Sequence, residues 1–179
     1  YQERFPNDKV IVADAHKYLI EHYQEFSEGL VWSSPPCPTH SRARFWGFGV
    51  NGKNPTYPDM KLYEEIIFLQ HHCKGKYVVE NVIPYYEPMI TPIKRGRHLF
   101  WTNFKLPNIL SERNFSMSKE KKEVEKLIKF HDYDFKLYKG NQRTDKIARN
   151  LVDYEVGKTI LETVVGIVKK KDQNQINLF

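Results

Sequence analysis

A cysteine and a glutamate of this chain are placed where they could act together on one substrate. Cys37 comes shortly after the apolar, strand-like segment 30–32, and Glu80 comes directly after the similar segment 77–79. Open α/β sheets bind their ligands at the carboxyl ends of strands, so we expect the thiol and the carboxyl group to face one pocket. A thiolate is a nucleophile and a carboxyl group can exchange a proton. The pair therefore suits a reaction in which a thiol adds to a substrate while an acid stabilises the developing charge.

The residues around Cys37 favour a reactive thiol over a buried structural one. Pro35 and Pro36 give a rigid, non-helical backbone that presents the sulfur from a loop. A cysteine that only fills a core needs no such frame. A free thiol has a pKa of about 8.5, and the nearby cations Arg42 and Arg44 would favour its thiolate.

The prolines before Cys37 and the run Glu80-Asn81-Val82 together resemble motifs of the DNA cytosine-5 methyltransferases. The resemblance implies methyl transfer from S-adenosyl-L-methionine to carbon 5 of a cytosine that is rotated out of double-stranded DNA. Cys37 would add to carbon 6 of the base. Glu80 would hydrogen-bond the exocyclic amine and share a proton at N3, and Asn81 would hold the turn beside the DNA. The chain would then be an enzyme of bacterial or phage type, as in restriction–modification.

An arginine pair supplies a third point of resemblance. Arg95 and Arg97 stand two positions apart at the start of an apolar, strand-like run, as in the family's Gln-x-Arg-x-Arg signature, with Ile93 in place of the glutamine. Strand alternation would put both arginines on one face. By the resemblance, Arg97 would contact O2 of the cytosine, and Arg95 would support Arg97 or Glu80.

The resemblance also implies a site for S-adenosyl-L-methionine. The strand-like segment 9–13 and the acid after it match the family's adenine-contacting motif, in which Asp14 would accept a hydrogen bond from the adenine amino group. A later run matches the family's last motif, which closes over the cofactor, with Arg149 where the family has glycine. The expected cofactor-binding residues are Asp14, Ala15, Pro35, Asn150 and Val152.

The fold implied by the resemblance is α/β, of the Rossmann-like kind found in S-adenosylmethionine-dependent methyltransferases. Two parts of that fold are missing from the sequence: the first strand with its Phe-x-Gly-x-Gly loop, and the second strand with its ribose-binding acid. In the family the first strand lies beside the one that leads to Cys37, so segment 10–13 would be separated from 30–34. Parallel strands do not tolerate unpaired interior edges. We therefore expect the natural polypeptide to be longer at its amino end, or a second chain to supply those strands.

We expect four segments along the chain: 1–102, part of the catalytic domain; 103–140, a short target-recognition region; 141–171, the last motif and a helix that returns to the catalytic domain; and 172–179, a tail. Helical spacing of apolar residues predicts helices at 119–129 and 156–171.

Basic and aromatic residues after the cysteine predict contact with DNA. Ser41, Arg42 and Arg44 begin a stretch in which arginines and aromatics are interleaved with glycines. Such a stretch suits a loop that grips phosphate and fills the gap left by a rotated base. A partly buried aromatic loop is the alternative.

The last five residues resemble the pentapeptide by which bacterial DNA enzymes bind the replication sliding clamp. Gln175, Leu178 and Phe179 would make that contact. The alternative is that Leu178 and Phe179 pack against the domain.

Composition agrees with a globular protein that binds a polyanion. The chain has 179 residues, 40% of them hydrophobic, and a formal net charge of +6, which suits a nucleic-acid partner. No apolar run approaches the roughly 20 residues of a membrane span, so we expect no membrane partner. With two cysteines, one of them needed as a thiol, we expect a reducing cytoplasm. His71, His72 and Cys73 point in different directions on a helix, so we expect no metal site.

Three alternatives remain open. A tRNA cytosine-5 methyltransferase would use the same Cys37 and Glu80 chemistry. A non-catalytic, DNA-binding subunit of a split methyltransferase would account for the missing cofactor loop. A thiol hydrolase that uses Cys37 and His40 would leave Glu80, Asn81 and the arginine pair unexplained.

Overall fold

The computed structural model describes residues 2, 5–26, 28–46, 54–108, 110, 123–134, 137, 140–141, 143–144, 147 and 153–167. The chain divides into two compact units, Tyr1–Lys105 and Leu106–Phe179. Within the described residues there are five helices and a four-stranded mixed sheet. The α/β class is therefore confirmed, whereas the Rossmann-like topology stays a prediction. None of the described helices has the length and apolarity needed to cross a membrane.

The sheet lies in the first unit and has the strand order β1-β2-β4-β3. Its strands are β1 (Leu30–Ser33), β2 (Lys76–Val82), β3 (Ile93–Arg95) and β4 (His98–Thr102). β1 and β2 are parallel, with Ser33 opposite Val79, while β4 is antiparallel to both β2 and β3. Segments 30–32 and 77–79 thus lie in adjacent strands whose carboxyl ends meet at one edge of the sheet.

The first unit has three helices, α1 (Ala15–Phe26), α2 (Arg42–Trp46) and α3 (Lys61–His72). Asp14 caps α1, because its Oδ1 accepts hydrogen bonds from the amides of His16 at 3.0 Å and Lys17 at 3.3 Å. The core of the unit joins α1 and α3 to the sheet. It contains Leu19, Leu62, Tyr63, Ile66, Leu69, Tyr77, Val79, Leu99 and Trp101.

β1 and β2 begin at a close approach of two backbone segments. A Cβ atom on Gly75 would collide with the backbone of Glu28 and Gly29, so glycine is required there. The amide of Lys76 donates a hydrogen bond to the carbonyl oxygen of Gly29 at 2.8 Å. This contact sets the start of the β1–β2 pairing and hence the relative positions of Cys37 and Glu80.

The arginine pair lies at a hairpin turn and not along one strand. β3 ends at Arg95, β4 begins at His98, and the two residues between them form the turn. Gly96 has φ +57°, in the left-handed region that glycine adopts without strain. The expectation that strand alternation puts Arg95 and Arg97 on one face is therefore wrong, because the chain reverses between them.

Segment 9–13 is not a strand, contrary to expectation. Val12 is 98% exposed, and Val10 and Ile11 are each 45% exposed. A strand needs a neighbour that exchanges backbone hydrogen bonds with it, and among the described residues β2 is the single neighbour of β1. A cavity of about 310 Å³ is lined by all four residues of β1 and also by Ile11 and Ala13. The two segments thus flank a partly open cavity and do not pair.

The second unit has two described helices, α4 (Glu123–His131) and α5 (Tyr154–Val164). α4 covers the described part of the helix predicted at 119–129. Asp153 caps α5 by accepting a hydrogen bond from the amide of Glu155 at 3.0 Å. α5 ends well before 171, because Gly166 adopts φ +77° and its amide bonds back to the last turn.

Candidate active site

Cys37 lies in the loop that joins β1 to α2, and it is a half-buried free thiol. Its carbonyl oxygen accepts hydrogen bonds from the amides of His40 at 3.0 Å and Ser41 at 3.1 Å. Pro35, two residues before the cysteine, is buried. The sulfur is thus carried by a short, internally hydrogen-bonded turn at the carboxyl end of β1.

Glu80 lies in β2, directly after the residue that pairs with the end of β1, and it is 6% exposed. Its carboxyl group faces the hydroxyl of Ser34 and the ring of His98, whose Nε2 is 3.7 Å from Glu80 Oε1. Burial raises the pKa of Glu80, and the hydrogen bond with Ser34 offsets part of that rise. The protonated carboxyl is therefore more populated near neutral pH than it is for an exposed glutamate, which suits a proton donor.

The titrations of Cys37 and Glu80 are linked. Burial is the main cause that raises the pKa of the Cys37 thiol, and the negative charge of Glu80 raises it further. The two groups therefore face one region. When Glu80 takes a proton it loses its negative charge, so that charge no longer raises the pKa of the Cys37 thiol. The thiolate and the protonated acid thus favour each other, which is the state that addition of the thiol to a base requires.

Asn81 fastens the Cys37 loop to the sheet. Its Nδ2 donates a hydrogen bond to the carbonyl oxygen of Pro35 at 3.0 Å, and its Oδ1 accepts one from the amide of Val82 at 2.9 Å. The residue is 2% exposed. Asn81 therefore holds the turn, and its burial speaks against the predicted place of its side chain beside the DNA.

The start of the predicted DNA-contacting stretch is attached to the chain just beyond β2. Ser41 and Pro84 form an isolated β-bridge, and Arg42 Nε donates a hydrogen bond to the carbonyl oxygen of Pro84 at 3.2 Å. The ring of Phe45 stacks on Tyr85, with the ring centroids 5.1 Å apart. These contacts hold the residues after Cys37 against the segment that follows β2, while the hydrogen bond from Asn81 holds Pro35, on the other side of Cys37, against β2 itself.

Basic and aromatic side chains continue beyond that attachment. Arg44 Nε donates a hydrogen bond to the hydroxyl of Thr56 at 2.8 Å. Trp46 is 73% exposed and Tyr57 is 94% exposed. Segment 47–53 lies outside the described residues. Exposed aromatics beside arginines fit the predicted contact with nucleic acid, which stays a prediction.

His40 is engaged away from the thiol. It is 1% exposed, and its Nδ1 lies 2.6 Å from the hydroxyl of Tyr86. Its Nε2 has no hydrogen-bond partner within the part of the chain that the structure describes. Neither ring nitrogen bonds the Cys37 sulfur, which speaks against a hydrolase in which His40 is the base. The contact with Tyr86 was missed by sequence reasoning, because the two residues lie 46 positions apart.

The carboxyl group of Glu80 is contacted by residues other than the arginine pair. Arg97 is exposed in the hairpin turn, and Arg95 Nη1 donates a hydrogen bond to the carbonyl oxygen of Lys94 at 2.9 Å. His98 lies beside Glu80 because it pairs with Val82 in the β2–β4 ladder, on the same face as Glu80. Sequence reasoning missed His98, since only the register of the ladder brings it there. The predicted roles of Arg95 and Arg97 at the cytosine stay predictions.

The predicted adenine contact, Asp14, lies at the amino end of α1. Its Oδ1 caps the helix, and its Oδ2 is 3.6 Å from Lys61 Nζ. The hydrogen bond from the amide of Lys17 is the largest cause that lowers the pKa of Asp14, and the charge of Lys61 lowers it too. The carboxylate is therefore ionised and remains able to accept a hydrogen bond from an amino group.

The cavity beside β1 has a polar group at one side. Glu65 lines it, is 6% exposed, and accepts a hydrogen bond from the Ser33 hydroxyl at 2.6 Å. The ring of His16 lies between two carboxylates, with Nδ1 3.2 Å from Glu65 and Nε2 3.0 Å from Glu64. Most of the remaining lining is apolar and includes Ala15.

Several predicted site residues lie outside the described part of the chain. They are Asn150 and Val152 of the cofactor motif and Gln175, Leu178 and Phe179 of the clamp-binding tail. Their roles stay predictions.

Comparison of the chain with protein-family models, with curated proteins and with solved structures found no match. The resemblance to the cytosine-5 methyltransferases therefore rests on the sequence motifs around Cys37 and Glu80.

Proposed function

We propose that this chain forms the catalytic part of a DNA cytosine-5 methyltransferase of bacterial or phage type. One observation carries the proposal: β1 and β2 are parallel neighbours with Ser33 opposite Val79, so the Cys37 turn and Glu80 follow the same end of two adjacent strands. A nucleophile and a buried acid at that end suit the addition of a thiol to a base.

In the proposed reaction the Cys37 sulfur bonds to carbon 6 of cytosine while Glu80 gives its proton to N3. The ring electrons then form an enamine, in which carbon 5 is nucleophilic. S-Adenosyl-L-methionine, when bound, supplies the methyl group for that carbon. In release, a solvent water takes the proton from carbon 5, the electrons of that carbon–hydrogen bond form the double bond between carbons 5 and 6, the sulfur leaves carbon 6 as a thiolate, and N3 returns its proton to Glu80. The raised pKa of Glu80 suits both directions of this transfer.

The described residues fit that cofactor at its adenine end. Asp14 is exposed and offers an ionised carboxylate for an amino group, and Ala15 lines the neighbouring cavity. The Phe-x-Gly-x-Gly loop, which the resemblance implies for the methionine end, does not occur in the sequence. In the proposal, the described residues serve the adenine end of the cofactor, and a glycine-rich backbone outside residues 1–179 serves the methionine end.

The proposal accordingly includes a segment from outside residues 1–179, on the same polypeptide or on a second chain. β1 has β2 as its single neighbour among the described strands, and the cavity lined by β1 is largely apolar. Val12 lies between the cavity-lining residues Ile11 and Ala13 and is 98% exposed. An extended apolar segment could pair with β1 in parallel and be covered on both faces.

Covalent trapping tests the proposal. The full chain, alone and with an amino-terminal extension, is incubated with S-adenosyl-L-methionine and duplex DNA that contains 5-fluorocytosine, whose fluorine prevents release of the thiol. We expect a complex that survives a denaturing gel. Cys37→Ser should abolish it, Cys73→Ser should retain it, and Glu80→Gln should slow its formation by about 100-fold or more.

The other outcomes separate the alternatives. Trapping only by the extended version would support the additional segment. No complex with either version, together with DNA binding that survives Cys37→Ser, would replace the proposal by a non-catalytic subunit, which the incomplete cofactor site favours. Trapping by tRNA and not by duplex DNA would identify RNA as the methyl acceptor.

A further inference from the structure

Three side chains near Cys37 form a hydrogen-bonded chain that runs in one direction. The amide of Met89 donates to the hydroxyl oxygen of Tyr63 at 3.3 Å, and that hydroxyl donates to Tyr86 at 3.4 Å. The hydroxyl of Tyr86 lies 2.6 Å from His40 Nδ1. Because Tyr86 accepts the proton of Tyr63, its own proton is directed to Nδ1. This direction of the hydrogen bonds assigns His40 Nδ1 as the acceptor and places the single proton of the imidazole on Nε2.

The surroundings of His40 favour that neutral form. The residue is 1% exposed, and burial lowers its pKa below the ordinary histidine value, while the charge of Asp59 opposes the shift. Burial also raises the pKa of Tyr86. The titratable groups that face the ring are thus Tyr86 and Asp59, with Cys37 in the same turn.

The backbone of His40 connects these hydrogen-bonded side chains to the turn that carries the Cys37 thiol. Its amide donates to the carbonyl oxygen of Cys37 at 3.0 Å, and its carbonyl oxygen accepts from the amide of Tyr85 at 3.1 Å. The neighbouring Thr39 hydroxyl accepts a hydrogen bond from the amide of Asp59 at 2.9 Å. Fixing the imidazole therefore fixes the turn that carries the sulfur.

We propose that His40, held by Tyr86, positions the Cys37 turn, and that the turn is released when the imidazole takes a second proton. A proton on Nδ1 would point at the hydroxyl proton of Tyr86. Tyr86 would then have to turn its proton toward Tyr63, and the hydroxyl of Tyr63 would no longer have Tyr86 as its acceptor. The cation would also stand in a site from which water is excluded. The inference rests on the proposed function only in taking Cys37 as the reacting group.

The test measures the reactivity of Cys37 without DNA or cofactor. The full chain carries Cys73→Ser, so that Cys37 is its single thiol. Disulfide exchange with dithiodipyridine, which reacts with thiols in acid as well, is followed by absorbance between about pH 5 and about pH 8, the range in which histidine titrates. His40→Asn is the decisive variant, because its amide oxygen can accept the Tyr86 proton and does not titrate in this range.

Release of the turn should expose the sulfur. The exchange rate of the protein that retains His40 is divided by the rate of the His40→Asn variant. As the pH falls, we expect this ratio to rise about fivefold, the factor that corresponds to one lost hydrogen bond. At the neutral end the two rates should be similar. Tyr86→Phe should react about fivefold faster than its parent near neutral pH, since it lacks the hydroxyl that holds the ring.

Tyr85→Phe is the matched control, because it removes the neighbouring hydroxyl and keeps the ring that stacks on Phe45. Its rate should equal that of the parent. A rate ratio between the histidine protein and His40→Asn that stays constant with pH would overturn the proposal. If His40→Asn does not fold, as judged by near-ultraviolet circular dichroism, Tyr86→Phe decides: a rate equal to that of Tyr85→Phe would also overturn it. Because no methyl transfer is measured, failure of the proposed function leaves this test intact.

Discussion

Among individual side chains, burial gives Cys37 and Glu80 their chemistry. The pKa values of both groups are raised mainly by desolvation, and the charge of Glu80 contributes to the shift at Cys37. Between their two pKa values the pair holds one proton. The reactive form is the one in which the thiolate faces a protonated acid. A substrate that accepts the proton at N3 would draw on that form.

Asn81 provides a residue-level test of how the Cys37 loop is held. Asn81→Ala leaves the carbonyl oxygen of Pro35 without its donor, and we expect a loss of about 1–3 kcal/mol in the free energy of unfolding. The loop would loosen, so disulfide exchange at Cys37 should accelerate. Urea unfolding and the exchange assay measure the two effects.

Asn103 is the matched control for that substitution. It also fastens β2, because its Oδ1 accepts from the amide of Tyr77 at 3.1 Å and its Nδ2 donates to the carbonyl oxygen of Gly75 at 2.8 Å. It does so at the end of the strand far from Glu80. Asn103→Ala should destabilise the protein and leave exchange at Cys37 unchanged. Equal acceleration by both variants would mean that Asn81 has no local role.

Among the elements, the parallel pairing of β1 with β2 decides the candidate site. A shift of one residue in this register would turn the Glu80 side chain to the opposite face of the sheet. The register is set where the strands begin, since the amide of Lys76 bonds the carbonyl oxygen of Gly29 at 2.8 Å. The close backbone approach at Gly75 permits that bond.

Gly75→Ala tests the importance of this approach. The added Cβ would collide with the backbone of Glu28 and Gly29, which cannot move aside as a flexible side chain would. We expect a loss of about 1–3 kcal/mol in the free energy of unfolding, measured by urea titration. Gly29→Ala is the control from the same close approach of the two backbone segments. Its Cβ would meet only the carbonyl oxygen of Phe26 at 3.7 Å, which is an ordinary contact. Equal stability of the two variants would contradict the argument.

In the molecule as a whole, the candidate site belongs to a unit with its own hydrophobic core. The core cluster that joins α1 and α3 to the sheet lies entirely within Tyr1–Lys105. Cys37, Glu80 and Asn81 lie there as well. All three tryptophans of the chain, Trp32, Trp46 and Trp101, fall in the same unit. Tryptophan fluorescence therefore reports on the unit that carries the site.

A fragment of residues 1–105 should fold by itself. It retains the complete core cluster, so we expect one cooperative transition in urea, followed by tryptophan fluorescence. A fragment of residues 1–82 is the control: it lacks the β3–β4 hairpin, and with it Leu99 and Trp101, and should show no cooperative transition. A fragment 1–105 that behaves like 1–82 would refute the independence of the unit.

Local sequence patterns predicted much of the framework. Apolar, strand-like runs marked β1 and β2, and apolar residues at helical spacing marked α4 and α5. The same reasoning failed for segment 9–13, which has the composition of a strand and is exposed. Composition describes what a segment can form, whereas a strand exists only beside another strand.

The sequence by itself determined where the reactive groups stand along the chain: a thiol framed by prolines after one strand, and an acid within the next. Only the tertiary structure decided which residues surround them. Ser34 and His98 face Glu80, Asn81 holds the loop, and Tyr86 bonds His40 at 2.6 Å. These partners come from separate elements, and their meeting depends on sheet register and loop packing. Local propensity depends on residues that are close in the sequence, whereas hydrogen bonds between separate elements depend on how the whole core packs.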